Sequence, residues 1–234
     1  MSEKTSESSS LEKREYPSLD KGHSLKDQVY EKLSSMLRKG ELFPGSTIDQ
    51  KKICKELNIS RTPLNNALIR LDAEGIVTIH PRSRVTVNKL EEEDIQYLYE
   101  IIGTIESTLI TKGCQKYSPE RIKRMNALNA EMKSCIEDMD LTSYGNLHYE
   151  FHQIFIEMAP NVFAERILRP IKNRLWDFPQ KTFPKQWYLN ACAEHQMIID
   201  ALSEKDIHKA VSCLKDLHWN FQYNKEYIQK VYYL

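Results

Sequence analysis

Apolar residues recur every three or four positions along most of the chain, which is the spacing of one buried face of an α-helix. The first such stripe covers residues 25–37, between Ser24, a residue suited to an N-cap, and Gly40, a residue suited to end a helix. Two shorter stripes follow over residues 50–57 and 61–71. The pattern therefore predicts three helices in the first third of the chain.

Alternation of apolar and polar residues replaces the helical spacing after Gly75. Residues 76–79 and 84–87 have the pattern of two strands, and Pro81-Arg82-Ser83 is typical of a turn between them. Three helices followed by a β-hairpin predict a winged helix-turn-helix.

Only helical stripes follow the hairpin. They cover residues 91–114, 119–136, 141–159, 162–178, 185–202 and 207–231. Pro170 is expected to kink the fourth of these helices. The predicted fold class is mostly α, with the winged helix-turn-helix followed by an all-α bundle of about six helices. Residues 1–21 are rich in Ser and charged residues and are expected to form a disordered tail, so the predicted segments are 1–21, 22–88 and 89–234.

The formal charge of the chain is zero, with 33 Lys and Arg against 33 Asp and Glu. DNA is negatively charged, so electrostatic attraction to it favours a basic protein over a neutral one. The charge is unevenly distributed along the chain, because residues 24–88 carry +4, residues 89–234 carry −3 and residues 1–23 carry −1. The predicted winged helix is therefore basic.

The remaining composition excludes several classes of protein. No run of about 18 apolar residues exists, which excludes a membrane-spanning helix, and the N-terminus lacks the apolar segment of a signal peptide. We therefore expect a cytoplasmic protein. The five cysteines are scattered without a CxxC pair, which favours free thiols over a zinc ribbon or a disulfide framework.

The third helix is the candidate DNA-reading element, because the second helix of a helix-turn-helix enters the major groove with its first turns. Asn side chains match the hydrogen-bonding edge of adenine, Arg matches guanine or a phosphate, and Ser and Thr suit phosphates. Arginines beside the hairpin tip can reach the minor groove or the backbone. The candidate DNA-binding residues are Ser60, Arg61, Thr62, Asn65, Asn66, Arg70, Arg82 and Arg84. The alternative is a merely polar surface helix, but the hairpin and the local positive charge favour DNA.

Four histidines have positions that indicate a metal site. His148 and His152 are four residues apart, which places them on one face of a helix. His195 and His218 lie on the apolar faces of two other predicted helices. Buried histidines need partners for their nitrogens, and those partners are either hydrogen bonds within the core or a bound cation. Imidazole ligands favour Zn²⁺ or Ni²⁺ over Mg²⁺ and Ca²⁺.

Residues 24–88 resemble the GntR family of bacterial transcription regulators. The segments that carry the resemblance are Val29-Tyr30-Glu31, Gly40-Glu41-Leu42-Phe43-Pro44-Gly45, Leu57-Asn58-Ile59-Ser60-Arg61-Thr62-Pro63-Leu64 and Arg70-Leu71-Asp72-Ala73-Glu74-Gly75. The chain departs from the family where Asn65-Asn66 replace a usual Arg-Glu, and where Pro81-Arg82-Ser83-Arg84 replace a glycine-rich wing tip. The resemblance implies operator DNA as a partner and a homodimer, but it does not carry over the operator sequence.

Residues from about 89 to 220 resemble the FadR subfamily, with its helical FCD-type ligand-binding domain. The matching segments are His148-x-x-Phe151-His152, Ala159-Pro160-Asn161, Glu194-His195-x-x-Ile198 and residues 210–218. The resemblance implies a metal held by one Asp and three His. His152, His195 and His218 match the three His, whereas His148 stands where the Asp usually does. The implied site is all-nitrogen and suits Zn²⁺ or Ni²⁺ better than Mn²⁺.

The same resemblance implies a small effector, often a carboxylate held partly by the metal. Family members carry an Arg-x-x-x-Glu pattern near the ligand cavity, and here Ile102 replaces the Arg while Glu106 is retained. The predicted function is a ligand-responsive, dimeric DNA-binding regulator and not an enzyme. The alternatives are a metal-sensing regulator, a purely structural metal and, less favoured, a His-ligated metalloenzyme, for which Glu150 lies on the wrong helix face to act as a base.

Overall fold

A computed structural model of the protein describes residues 24–176 and 183–232. It confirms the predicted fold class, a mostly helical chain with an N-terminal winged helix-turn-helix followed by a helical domain. The predicted disordered tail, residues 1–21, lies outside the described residues, and so does the predicted end of the fourth bundle helix at Phe178.

The winged helix-turn-helix begins with three helices, α1 Leu25–Arg38, α2 Gln50–Leu57 and α3 Arg61–Ala73. Ser24 caps α1 in a capping box with Asp27, and Gly40 follows α1 with a φ of +70°. Asn58 adopts the left-handed conformation at the end of α2, with a φ of +51°. This residue turns the chain within three residues into α3, whose N-cap is Ser60.

The wing is a two-stranded antiparallel hairpin of β1 Val77–Ile79 and β2 Val85–Val87. A 3₁₀ turn over Pro81–Ser83 joins the strands. Val77 faces Val87 across the ladder, and both side chains are buried with the apolar faces of the three helices in a core of their own. The hairpin is therefore fixed to the helices by the burial of its inner face.

Over the residues that the structure describes, the helical domain contains seven α-helices, and its core is separate from that of the winged helix. They are α4 Glu92–Gly113, α5 Pro119–Glu137, α6 Leu141–Met158, α7 Val162–Trp176, α8 Lys185–Ser203, α9 Ile207–Ser212 and α10 Phe221–Val231. Helix α5 packs against α6 and α8, and α4 packs against α6 and α7. The first five helices match the predicted stripes to within a few residues.

The last predicted helix, over residues 207–231, is interrupted. A π-helical turn over Cys213–His218 follows α9, and the chain leaves the helix at Trp219 and Asn220. The Asn220 side chain then caps α10 by accepting a hydrogen bond from the backbone N–H of Tyr223 at 2.9 Å. Because π-helical turns distort the helix and alter the direction of side chains, this turn decides where His218 points.

The five cysteines are free thiols, as predicted. No helix among residues 24–176 and 183–232 combines the length and the apolar character that a membrane crossing requires.

Candidate metal centre and nucleic-acid interface

The four histidines singled out in the sequence lie together inside the helical domain. His148 and His152 project from α6, His195 projects from α8, and His218 ends the π-helical turn. All four are buried, and the centroids of their rings lie 4.6–5.5 Å from one another. Each ring offers one nitrogen as a ligand, and these four nitrogens all lie within 4.8 Å of one another. This spacing allows the four rings to hold a single cation.

Three buried nitrogens in this cluster have no hydrogen-bond partner in the described part of the chain. They are Nε2 of His152 and both ring nitrogens of His195. A buried polar atom without a partner costs about 1–3 kcal/mol, so such atoms are rare in the interior of proteins. Coordination of a cation would provide partners for two of these nitrogens, and the residues therefore fit a metal ion.

Two carboxylates lie behind the cluster and orient two of its rings. Nδ1 of His152 is 2.8 Å from Oε2 of Glu106, and Nδ1 of His218 is 2.9 Å from Oε2 of Glu194. Because the ionised carboxylate of Glu106 only accepts hydrogen bonds, Nδ1 of His152 carries a hydrogen, and the neutral ring keeps a lone pair on Nε2. A carboxylate behind a metal-binding histidine is a recurrent arrangement that fixes the ring and increases its basicity.

Glu106 is the centre of a buried polar network. Besides His152, it accepts a hydrogen bond from Nε1 of Trp219 at 2.7 Å and one from the ammonium group of Lys172, which is only 2% exposed. Burial alone would raise the pKa of Glu106, but the attraction of His152 and Lys172 outweighs burial and lowers the pKa to about 2. The network therefore keeps one negative charge beside the histidines at neutral pH.

Burial keeps His148, His152 and His195 neutral. Removal from water lowers the pKa of His148 and His195 well below the ordinary value near 6.5, and neighbouring histidines lower it further. Burial also lowers the pKa of His152, to about 4, although Glu106 acts in the opposite direction. A metal ion binds the neutral form of imidazole, so these three rings are in their ligating form at pH 7.

A cavity of about 740 Å³ adjoins the cluster. His148 and His218 line it, together with an aromatic wall and residues of the winged helix. The aromatic residues of the helical domain that line it are Tyr99, Tyr144, Tyr149, Phe183, Trp187, Tyr188, Trp219 and Tyr232. Tyr30 lines it from the winged helix, and the cationic residues are Arg38, Lys39, Arg70 and Arg169. Ile102, which replaces the Arg of the family pattern, is fully buried in the apolar core. A volume of this size accommodates a small organic molecule.

The exposed surface of the winged helix carries most of the predicted DNA-binding residues. Ser60, Arg61, Thr62, Asn65 and Asn66 are exposed on the first two turns of α3 and at its N-cap. Arg82 and Arg84 are exposed at the end of the hairpin. These seven residues lie on the two elements with which a winged helix contacts DNA.

Arg70 lies one helical turn after Asn66 on α3 and is half-buried. Its guanidinium carbon is 3.5 Å from the centre of the Tyr30 ring, and its Nε donates to Oε1 of Glu74 at 3.1 Å. A longer ion pair of 3.7 Å joins it to Asp27. The side chain is thus occupied within the winged helix and lines the cavity beside the helical domain.

The residues that support the cluster are only weakly indicated by the sequence. Glu194 adjoins His195 and Glu106 belongs to a family pattern, but neither position indicated a hydrogen bond to a histidine. Lys172 interrupts the apolar stripe of α7 four residues after Leu168, and a charge within such a stripe is a detectable sign of a buried ion pair.

Two family models match the chain. Residues 25–87 match the model described as bacterial regulatory proteins, gntR family, and residues 97–218 match the FCD domain. The second match alone covers more than half of the chain, and the two matches follow the winged helix and the helical domain in order.

Two relatives are distant in sequence, and both are named as HTH-type transcriptional regulators or repressors. The HTH-type transcriptional repressor RspR of Escherichia coli is 22% identical over 183 residues, which are 76% of this chain and 79% of the relative. The uncharacterized HTH-type transcriptional regulator YdhC of Bacillus subtilis is 21% identical over 62% of this chain and 66% of its own length. Among solved structures, McbR/YncC of E. coli has a TM-score of 0.72 at 19% identity, with 88% of this chain and 98% of that chain covered. A GntR regulator of Rhodococcus has a TM-score of 0.67 at 20% identity, with 88% and 96% covered.

Proposed function

The chain belongs to the gntR family of bacterial regulatory proteins and carries an FCD domain, and we propose its function on that premise. In this DNA-binding transcriptional regulator, the helical domain binds a divalent transition metal and a small effector. The metal ligands are His148, His152, His195 and His218. The observation that carries the proposal is the convergence of four buried rings with three nitrogens that lack partners in the described residues.

Zn²⁺ and Ni²⁺ suit this centre. The cluster offers imidazole nitrogens, and these two ions prefer nitrogen ligands, whereas Mg²⁺ and Ca²⁺ prefer oxygen. The replacement of the family's Asp by His148 makes the centre one charge less negative. When bound, the metal supplies a positive charge that attracts an anion to the adjoining cavity. The aromatic wall and Arg169 support an organic acid as the effector, despite the loss of the family's Arg at Ile102.

The proposed DNA contacts are made by Ser60, Arg61, Thr62, Asn65, Asn66, Arg82 and Arg84. Their exposure on α3 and the hairpin supports this assignment. Arg70 has a different role in the proposal, because its guanidinium is engaged with Tyr30 and Glu74. Two winged helices in a homodimer would read two operator half-sites in the cytoplasm, and the effector would act by favouring one arrangement of the two over another.

Two other roles for the cluster are separable from this one. In a metal-sensing regulator the ion itself is the signal, and in a structural centre the ion only holds the helices together. A metalloenzyme is disfavoured by the family, and also by Glu150, which is paired with Arg124 at 2.8 Å on the exposed side of α6. That carboxylate is not available to act as a general base at the cluster.

Metal analysis of the purified protein tests the centre. We expect about one equivalent of Zn²⁺ or Ni²⁺ per chain, and its loss in His152→Ala and in His195→Ala. His208→Ala is the matched control, since His208 is exposed on α9. Equal metal content in all four proteins would disprove the assignment.

Gel shifts test the regulator and separate the roles of the metal. The wild type should bind a duplex from the DNA upstream of its gene, and Arg61→Ala should weaken binding while Arg121→Ala, an exposed arginine of α5, should not. Operator affinity is then compared with chelator, with Zn²⁺ and with a panel of organic acids. A response to metal alone supports a sensor, a response that needs an acid supports the proposed effector, and no response supports a structural metal.

A further inference from the structure

Three consecutive residues of α7 contact both halves of the molecule. The side chain of Lys172 enters the helical domain and donates to Oε1 of Glu106, whose other oxygen meets Nδ1 of His152. The next two residues, Asn173 and Arg174, contact the winged helix and the start of α4. A single segment of helix therefore joins the histidine cluster to the DNA-binding half.

A continuous series of hydrogen bonds leads from this segment to the end of the recognition helix α3. Nδ2 of Asn173 donates to the hydroxyl of Tyr30 at 3.0 Å, and that hydroxyl donates to Oε2 of Glu74 at 2.6 Å. Glu74 is the C-cap of α3, and its other oxygen accepts from Nε of Arg70 at 3.1 Å. The series ends on two residues that belong to the last turn of the helix expected in the major groove.

Arg174 makes a second connection beside the first. Its Nη2 is 3.4 Å from Oδ2 of Asp94 on α4, and its guanidinium lies 3.6 Å from the point where a Cβ on Gly75 would be. Gly75 follows the C-cap of α3 and has a φ of +72°. The segment between α3 and the hairpin thus lies against the same turn of α7.

We propose that residues 172–174 of α7 couple the histidine cluster to α3, so that occupation of the cluster by Zn²⁺ or Ni²⁺ changes the affinity for DNA through the contact between Asn173 and Tyr30. The proposal rests on the metal site proposed above. A bound ion fixes the ring of His152, this ring fixes Glu106, and Glu106 holds Lys172. Residues 172 and 173 are adjacent in one helix, so displacement of the first is passed to the second.

Two further observations support a role for this segment in regulation. Pro170 has no N–H group, so α7 lacks one backbone hydrogen bond just before residue 172, which lowers the cost of shifting the segment. The cavity beside His148 and His218 is also lined by Tyr30 and Asn173. An effector in that cavity would therefore contact the same junction that the metal reaches through Lys172.

The test is the ratio of DNA dissociation constants for chelator-treated and Ni²⁺-loaded protein, measured by fluorescence anisotropy on the upstream duplex. We expect a wild-type ratio that differs from one by at least about fivefold, in either direction. Tyr30→Phe and Asn173→Ala each remove the hydrogen bond, and the ratio should fall below about twofold. Nickel content and the DNA affinity of the chelator-treated protein should stay unchanged in both variants. Tyr97→Phe and Asn190→Ala alter an exposed tyrosine and an exposed Gln186–Asn190 contact, and these controls should keep the wild-type ratio.

The outcomes separate this inference from the metal site itself. Suppose that the wild type binds both Ni²⁺ and DNA but that its ratio of DNA dissociation constants is one, or that both variants keep the wild-type ratio. Either result refutes the coupling while the metal site stands. If the wild type takes up no Ni²⁺ or Zn²⁺, the metal site fails and the coupling fails with it. Linkage supplies an independent check, because DNA must change the affinity for Ni²⁺ by the same factor.

Discussion

Nδ1 of His152 lies 2.8 Å from Oε2 of Glu106, and neither side chain is exposed to solvent. The contact joins α6 to α4 and places a buried negative charge directly behind a proposed metal ligand. The same carboxylate pairs with the ammonium group of Lys172 from α7. One residue thus has two roles, to orient a histidine and to balance a buried cation, and these roles can be separated by mutation.

Glu106→Gln should affect both metal affinity and stability. Loss of the carboxylate behind His152 should weaken binding of Zn²⁺ or Ni²⁺ by about 10–100-fold, as is usual for partners of metal-bound histidines. It also leaves the ammonium group of Lys172 buried without its counter-charge, which should lower the free energy of unfolding by about 3–5 kcal/mol. Chelator competition and denaturant unfolding of the metal-free protein measure the two effects.

The double variant Glu106→Gln/Lys172→Met separates these roles. It removes both charges, so much of the lost stability should return, whereas the metal affinity should stay low. Recovery of the metal affinity in the double variant would show that Glu106 acts on the metal only through the stability of the fold.

Acid should destabilise the metal-free protein through the histidines. The folded pKa of His152, about 4, is below the ordinary value near 6.5, and burial shifts His148 and His195 in the same direction. Between these values the unfolded chain binds more protons than the folded one, so the free energy of unfolding falls as the pH falls below about 6.5. Urea unfolding between pH 7.5 and pH 5 measures the slope.

His195→Gln provides the comparison for this slope, because glutamine does not titrate and its amide can occupy a similar volume. The variant should lose less stability than the wild type over the same pH range, whereas His208→Ala should follow the wild type. Parallel curves for all three proteins would contradict the assignment of the slope to the buried cluster.

Gly113→Ala should destabilise the helical domain. A Cβ at this position would lie 2.7 Å from Cβ of Met158, at the end of α6. Since Met158 is fully buried, the two helices must move apart, and overpacking of this kind costs about 1–3 kcal/mol. Thermal unfolding measures the change.

Gly145→Ala is the matched control for this substitution. Gly145 lies within α6, and a Cβ there would meet nothing within 4 Å. Alanine is the better helix former, so this variant should be more stable by about 0.5–1 kcal/mol. Destabilisation of equal size in both variants would rule out the close approach of α4 and α6 as the cause.

Two substitutions on α3 should affect DNA binding in different ways. If Arg61 contacts a phosphate, Arg61→Ala should weaken binding to every sequence and reduce the slope of log K against log salt by about one. If Asn65 contacts an adenine, Asn65→Ala should lose about 1–3 kcal/mol of discrimination at that base pair and leave the salt slope unchanged. Titrations at several salt concentrations, on the upstream duplex and a scrambled one, distinguish the two roles.

Features with a local physical cause were predictable from the sequence. The three helices and the hairpin of the winged helix follow from apolar spacing, from Ser24 and Gly40 at the helix ends, and from alternation after Gly75. The common face of His148 and His152 follows in the same way, since a separation of four residues fixes the relation of two side chains on any helix. The inward direction of His195 and His218 follows from the apolar faces of their helices, and the resemblance to known regulators strengthened the expectation that the four histidines form one site.

Features that depend on how helices pack were decided only by the tertiary structure. Lys172 and Glu106 are 66 residues apart in sequence, and their pairing depends on the rotation and depth of α7 against α4, which hydrophobic periodicity does not specify. Packing between elements also decides the π-helical turn that directs His218 and the contact between Arg70 and Tyr30. The sequence determined which faces are buried, because that depends on spacing along one helix. The structure decided which buried groups meet, because that depends on the relative positions of several helices at once.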